Sequence, residues 1–288
     1  HAGGGAARCQ PLSSMKICLV NSLYPPYARG GAETVVGHTA AGLRAAGHEV
    51  VVVTLGRQPG RAVVDGVAVE RVRSPNLISF LDLARLPLWL RPLWHAVDLV
   101  NVAGRNRVMR IIAREQPDVV MTHVLKGISY LLPRALARRG VAHVHVLHDV
   151  QLSRPSGLLL YGAEKPFLLL DLAYEKACRW LFGSPAAVVS PSRWLLDYYT
   201  VRGFFPKSRR VVLPNPVAVV RAPSTATAPD GTVRFLFLGQ LERSKGVWLL
   251  LETLRRLPQN NWLLRVVGSG GQEDRLRAEF GSHPNVKF

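Results

Sequence analysis

Apolar positions along the chain follow two alternating rhythms. Short runs without a polar face, Lys16–Ser22, Glu49–Leu55, Asp118–Thr122, Val141–Leu147, Ala186–Ser190 and Arg210–Pro214, predict strands buried on both sides of a parallel sheet. Between them lie stretches with apolar residues three and four apart, which predict helices. These are Thr34–Ala46 closed by Gly47, Asn106–Gln116 stopped by Pro117, Ile128–Arg139 closed by Gly140, Glu164–Phe182, and Arg193–Val201 behind a capping Ser192. Val63–Val72, folded about Asp65-Gly66, predicts a small hairpin. Residues 221–231 (RAPSTATAPDG) have the composition of a linker. Behind them the rhythm restarts: strand Arg234–Leu238, helix Val247–Leu257, strand Trp262–Val267, helix Gln272–Phe280 and a strand from Val286. Strand–helix alternation on both sides of a linker predicts an α/β fold of two doubly wound Rossmann-like domains, residues 15–220 and 232–288. The second is expected to be incomplete, because the alternation stops at Phe288 just as a strand begins. Residues 1–14 (HAGGGAARCQPLSS) carry neither rhythm and are expected to be a disordered arm or a non-native leader before Met15.

One stretch fits neither rhythm. Leu77–Val100 interleaves Phe80, Trp89 and Trp94 with Arg85, Arg91 and His95, and is broken by Pro87 and Pro92. Rings beside cations suit an amphipathic segment lying in a membrane interface. The same pattern also suits a pair of core-packing helices kinked at proline. No run of 18 or more uncharged apolar residues is present, so a spanning helix is not expected.

Charge narrows the classes of partner. The net charge is +18, and it is not confined to a tail: 18 Lys/Arg and 9 Asp/Glu fall in residues 1–150, 19 and 10 in residues 151–288. Such a balance points to a polyanion, an anionic surface or a phosphorylated substrate. Of the 37 cations 30 are arginine, whose planar fork suits phosphate. Signatures of the common nucleic-acid modules are absent, so a nucleic acid is not the expected partner. Cys9, Cys18 and Cys178 are too few and scattered for a disulfide framework or zinc site, which places the chain in a reducing compartment.

Four motifs sit where strands hand over to loops, the ligand edge of an open parallel sheet. Gly30-Gly31-Ala32-Glu33 opens a helix, where free amides and a positive dipole end invite phosphate, although an ordinary tight turn reads the same way. Gly239–Gly246 carries Arg243 and Lys245 into a helix, two cations for a diphosphate or simply a solvated loop. Gly268 and Gly270 lie in a third such loop, but Glu273 stands where the dinucleotide fingerprint needs glycine. His148-Asp149 follows the strand of His143 and His145, which are expected to pack on one sheet face; His123 ends the preceding strand. No P-loop, no G-x-S-x-G elbow and no Asp-x-Asp pair occurs, so a P-loop NTPase, an α/β-hydrolase and a metal-held sugar nucleotide are not expected.

Taken in order, GGAETVVGHTAAGLRAAGHEVVVVT from Gly30, PDVVMTH, HVLHD, SPSRWLLDYY, VLPNPV, LGQLERSKGVWLLLE and VVGSGGQEDRL resemble the family 4 retaining glycosyltransferases of GT-B architecture over residues 16–288. The resemblance implies an acceptor-side first domain and a nucleotide-sugar-binding second domain. It implies that Gly30 and Gly31 approach the donor diphosphate, that His148 stands near the reacting sugar, and that Lys245 clamps the diphosphate together with an arginine. Gln240 occupies the place of the family's usual arginine, so Arg243 is expected to substitute or the diphosphate to be held more weakly. Gly268 and Gly270 match the loop beside the donor base; His123 and Asp149 are candidates on the acceptor side. The family's two donor-holding glutamates, eight apart, lie beyond Phe288. The expected reaction moves a sugar from a nucleotide sugar to a cell-envelope or lipid-linked glycan with retention, without metal or other cofactor. The enzyme is expected to be cytoplasmic and peripheral on an anionic membrane surface; the given length is expected to be inactive by itself. The competing expectation is a basic nucleic-acid- or membrane-binding module without catalysis.

Overall fold

A computed structural model describes residues 13–27, 30–159, 169–217, 231–257 and 261–288, which fall into two compact units divided after residue 218. The expected arm (all but residues 13 and 14), the expected linker (all but residue 231) and the first part of the helix expected from Glu164 lie outside the described residues.

In the first unit eight strands form one sheet in the order β3-β4-β2-β1-β5-β6-β7-β8. They are β1 (Lys16–Val20), β2 (Glu49–Leu55), β3 (Gly60–Val64), β4 (Val67–Val72), β5 (Val119–Thr122), β6 (His143–Val146), β7 (Ala187–Ser190) and β8 (Arg209–Val212). All pair in parallel except the β3–β4 hairpin. The helices are α1 (Gly31–Ala45), α2 (Arg91–Leu99), α3 (Val102–Glu115), α4 (Leu132–Arg138), α5 (Leu169–Phe182) and α6 (Arg193–Thr200). Strand alternation sends Ile17, Leu19, Val50 and Val52 to the face covered by Val36 and Ala40 of α1. Cys18, Val20 and Val53 go to the other face, against Val108 and Ile112 of α3. Because β1 pairs with β2 on one side and β5 on the other, the chain reverses its winding there. That switch opens a crevice outside the carboxyl ends of β1 and β5.

Three expectations change. The helix expected from Ile128 begins only at Leu132: residues 128–131 form turns, Ile128 N donating to the Leu125 carbonyl at 2.9 Å, and the helix starts where Pro133 can sit in its first turn. The helix expected from Asn106 starts earlier, at Val102, because the Asn101 side chain caps it by accepting from Gly104 N at 2.8 Å. Leu77–Val100 is not a pair of helices kinked at proline: two 3₁₀ turns, Phe80–Arg85 and Leu88–Leu90, lead into α2. Trp94 is fully buried with its indole N–H on the Ile78 carbonyl at 2.8 Å, whereas Leu88 and Trp89 are 74% and 76% exposed.

The second unit has three parallel strands in the order β11-β10-β9: β9 (Val233–Leu238), β10 (Trp262–Val267) and β11 (Val286–Lys287). Helices α7 (Val247–Arg255) and α8 (Glu273–Phe280) bury Leu251, Leu254, Leu276 and Phe280 against Trp262, Leu264 and Val266. The opposite face of this sheet is bare among the described residues, with Leu236 and Leu238 64% and 75% exposed.

Candidate active site

The first unit brings two of the expected residues together. His123 follows β5 and His148 follows β6 by one residue, and because these strands are neighbours the rings meet. His123 Nδ1 and His148 Nε2 share a hydrogen bond of 2.9 Å, with ring centroids 5.2 Å apart. Burial pushes the His148 imidazolium down to about 4, and burial together with the His148 ring pushes His123 well below the usual histidine range. Both are therefore neutral near pH 7, and one is the donor, the other the acceptor. Among the described residues His123 Nε2 is buried without a hydrogen-bond partner, at a cost of about 1–3 kcal/mol. Behind the pair, on β6, His143 and His145 both bond the Thr122 hydroxyl, at 2.7 and 2.9 Å, and are buried on the face filled by Phe182 and Phe205.

Asp149 serves its own loop. Its Oδ1 accepts from Gln151 N at 2.8 Å, its carbonyl accepts from the Tyr199 hydroxyl at 2.9 Å, and burial raises its carboxyl above the usual range. It fixes the backbone that carries His148. Gly30 and Gly31 open α1, and both are exposed; Gly30 N donates to Glu33 Oε2 at 2.9 Å. Neither has a left-handed φ, and a Cβ at Gly31 would touch nothing, so the fold itself does not demand glycine there.

In the second unit the loops after β9 and β10 are zipped together: Gly239 N donates to the Val267 carbonyl, Leu241 N to Ser269, and Gln272 N to Leu241, at 2.9–3.1 Å. Here glycine is demanded. A Cβ on Gly268 would lie 1.8 Å from the Gly239 carbonyl oxygen, and one on Gly270 would lie 2.7 Å from that of Leu241. This internal packing requires glycine at both positions, which are the ones expected beside a donor base. The zipper holds Gln240 exposed and leads into a 3₁₀ turn, Arg243–Lys245, whose cations are exposed and have no carboxylate partner among the described residues. Gly246, at φ +75°, caps that turn and starts α7, so both cations stand at a helix N-terminus. No cluster of three or more metal-ligating side chains occurs among the described residues, and no described helix is long and apolar enough to cross a membrane.

The sequence did not reveal the His123–His148 bond, the orphaned His123 Nε2 or the roles of Gly268 and Gly270. These depend on strand adjacency and loop-to-loop contact, which no local spacing encodes.

The family described as "Glycosyl transferase 4-like domain" matches residues 30–216. An uncharacterized 42.6 kDa protein of the cps region of Klebsiella pneumoniae is 28% identical over 260 residues, 89% of this chain and 68% of that protein. Glycogen synthase of Mycobacterium tuberculosis is 27% identical over 286 residues, 93% of this chain and 65% of that protein. The chain thus spans about two thirds of the length of these curated relatives. Among solved structures, the catalytic domain of starch synthase IV from Arabidopsis thaliana, bound to ADP and acarbose, superposes with a TM-score of 0.60 at 13% identity over 96% of this chain and 74% of that one. WaaG, a glycosyltransferase involved in lipopolysaccharide biosynthesis, does so with a TM-score of 0.55 at 16% identity over 94% and 69%. The match across the first unit and the shared architecture of both units place the chain in the glycosyl transferase 4-like family: it is a glycosyltransferase of GT-B fold.

Proposed function

We propose that the chain contributes to transfer of a sugar from a nucleotide sugar to a cell-envelope or lipid-linked glycan, with retention of configuration and without a metal. The observation that carries this reading is the Arg243–Lys245 turn, two exposed cations without carboxylate partners among the described residues, at the start of α7. Breaking the glycosyl–phosphate bond puts negative charge on the leaving diphosphate. Fixed cations and a helix N-terminus stabilise that charge without reorganising. Arg243 does the work expected of an arginine at position 240. The amide end of α1 at Gly30 and Gly31 offers a second place for phosphate oxygens. Neutral His148, its Nε2 committed to His123, keeps Nδ1 for a hydrogen bond to a sugar hydroxyl. The acceptor hydroxyl attacks the anomeric carbon from the face of the departing group and gives its proton to the leaving phosphate oxygen.

The envelope acceptor is supported by the cps-region and lipopolysaccharide relatives, and the peripheral membrane site by the exposed Leu88–Trp89 edge beside Arg85 and Arg91. Lys245→Ala in the full-length protein is expected to lower turnover roughly 10²-fold or more, as loss of an electrostatic stabiliser does. Unchanged turnover together with unchanged nucleotide affinity would refute the assignment. The anomeric configuration of the product, read by NMR, decides retention.

A further inference from the structure

A cavity of about 710 Å³ stands on the same edge of the large sheet as the histidine pair. Its floor is Gly56–Gln58, just after β2, and the segment 73–79, just after β4; Asp82 and Arg107 of α3 close its sides. Three arginines line it against one carboxylate. Arg57 is held in a two-pronged pair with Asp82, at 3.0 and 3.1 Å. Arg107 crosses from α3 to donate to the Arg73 carbonyl. The Arg73 residue is exposed, and its guanidinium has no hydrogen-bond or ion-pair partner among the described residues. The Ser79 hydroxyl, on the cavity lining, accepts from Leu81 N at 3.2 Å and still carries an O–H donor. Like charges gathered in a concave polar space repel one another unless an anion joins them, and a fork already fixed by a carboxylate or a carbonyl loses little freedom on meeting one. Planar forks converging on one space match the oxygens of a phosphate.

We infer that this cavity binds a phosphate or diphosphate group carried by the acceptor. The acceptor part of this inference rests on the transferase reading above; the phosphate part does not. Sheet order gives the geometry: β2 is two strands from β5 and three from β6, and β4 one strand farther, so by strand spacing the two segments lie about 10–19 Å along the edge from the ends of β5 and β6. An acceptor can therefore place its phosphate among the arginines and a sugar hydroxyl beside His148. The phosphate can come from a soluble sugar phosphate or from a lipid headgroup, and the same chemistry recognises both.

Amide hydrogen exchange on the whole chain separates these cases. With inorganic pyrophosphate at low salt, residues 56–58 and 73–79 are expected to be protected, and added salt to remove the protection. Arg73→Ala with Arg107→Gln should weaken pyrophosphate about ten-fold or more, the loss usual for hydrogen bonds to a charged group. Arg57→Lys, which keeps the charge and the Asp82 partner, checks that an unfolded variant is not misread. Lys245→Ala should leave protection at 56–58 and 73–79 intact. A hexose 1-phosphate that protects these segments identifies a soluble source; protection only by vesicles containing phosphatidic acid identifies a lipid one. No protection at either segment, or protection that survives in the double variant, overturns the proposal. Protection by pyrophosphate that neither hexose 1-phosphate nor phosphatidic acid vesicles reproduce would remove the acceptor assignment and leave a phosphate site, while the transferase reading is tested separately by Lys245→Ala in the full-length protein.

Discussion

Alanine at position 31 should cost the fold nothing. Its Cβ meets no atom within 4 Å, and the residue opens a helix, where alanine is the better former by about 1 kcal/mol. Gly31→Ala is therefore expected to keep or raise the melting temperature while weakening nucleotide-sugar binding, measured by calorimetry on the full-length enzyme. Gly268→Ala should do the reverse. Its Cβ would drive into the Gly239 carbonyl, an overpacking worth about 1–3 kcal/mol or more, and the second unit should melt earlier. The two glycines look alike in the sequence, since each follows a strand and precedes a helix. What separates them is whether protein or open space lies in front, and residue spacing carries no trace of that. The same holds for His148, legible as a rim residue because it ends a strand, and for its bond to His123, hidden because the partner lies 25 residues away.

Among the elements, the buried parallel strands were the most legible. Glu49–Leu55 reads as an uninterrupted β-branched run because both of its faces are covered. Helix starts depending on a side-chain cap, such as Asn101, were harder to place, and the 3₁₀ turns between Phe80 and Leu90 have no periodic signature. That segment divides its labour between two tryptophans. Trp94→Ala should cost about 3–5 kcal/mol, the usual loss for a fully buried aromatic, read in denaturant unfolding of the first unit. Trp89→Ala should change stability by no more than about 0.5 kcal/mol, as exposed substitutions do. It should nevertheless weaken co-sedimentation with anionic vesicles, in a salt-sensitive way; binding that is absent from the start, or indifferent to Trp89, removes the membrane reading.

For the molecule as a whole, acid is the informative stress. His123, His143, His145 and His148 are held neutral by burial, below the ordinary value of 6.5. Above that value folded and unfolded chains are both neutral there, so stability is complete. As the pH falls below 6.5 the unfolded chain takes protons that the folded chain refuses, and each such histidine costs about 1.4 kcal/mol by pH 5.5. Asp98, raised to about 7 by burial, works the other way between pH 7 and 4 and offsets one or two of the four; Asp149, also raised by burial, acts with Asp98, whereas His95, lowered by burial to about 4, acts with the histidines. The first unit should thus lose stability steeply from pH 6.5 to 5, which thermal melting by circular dichroism can follow; a flat profile would mean that the histidines are not buried as described. The bare face of the small sheet acts on yet another quantity, the concentration at which the chain stays dispersed. Leu236 and Leu238 form a poorly wetted strip on a sheet in which β9 stands at one edge among the described strands. Chains meeting along that strip remove apolar surface from water, so self-association should grow with concentration in sedimentation velocity runs. Leu236→Lys with Leu238→Lys should abolish it and leave the melting of the large sheet untouched.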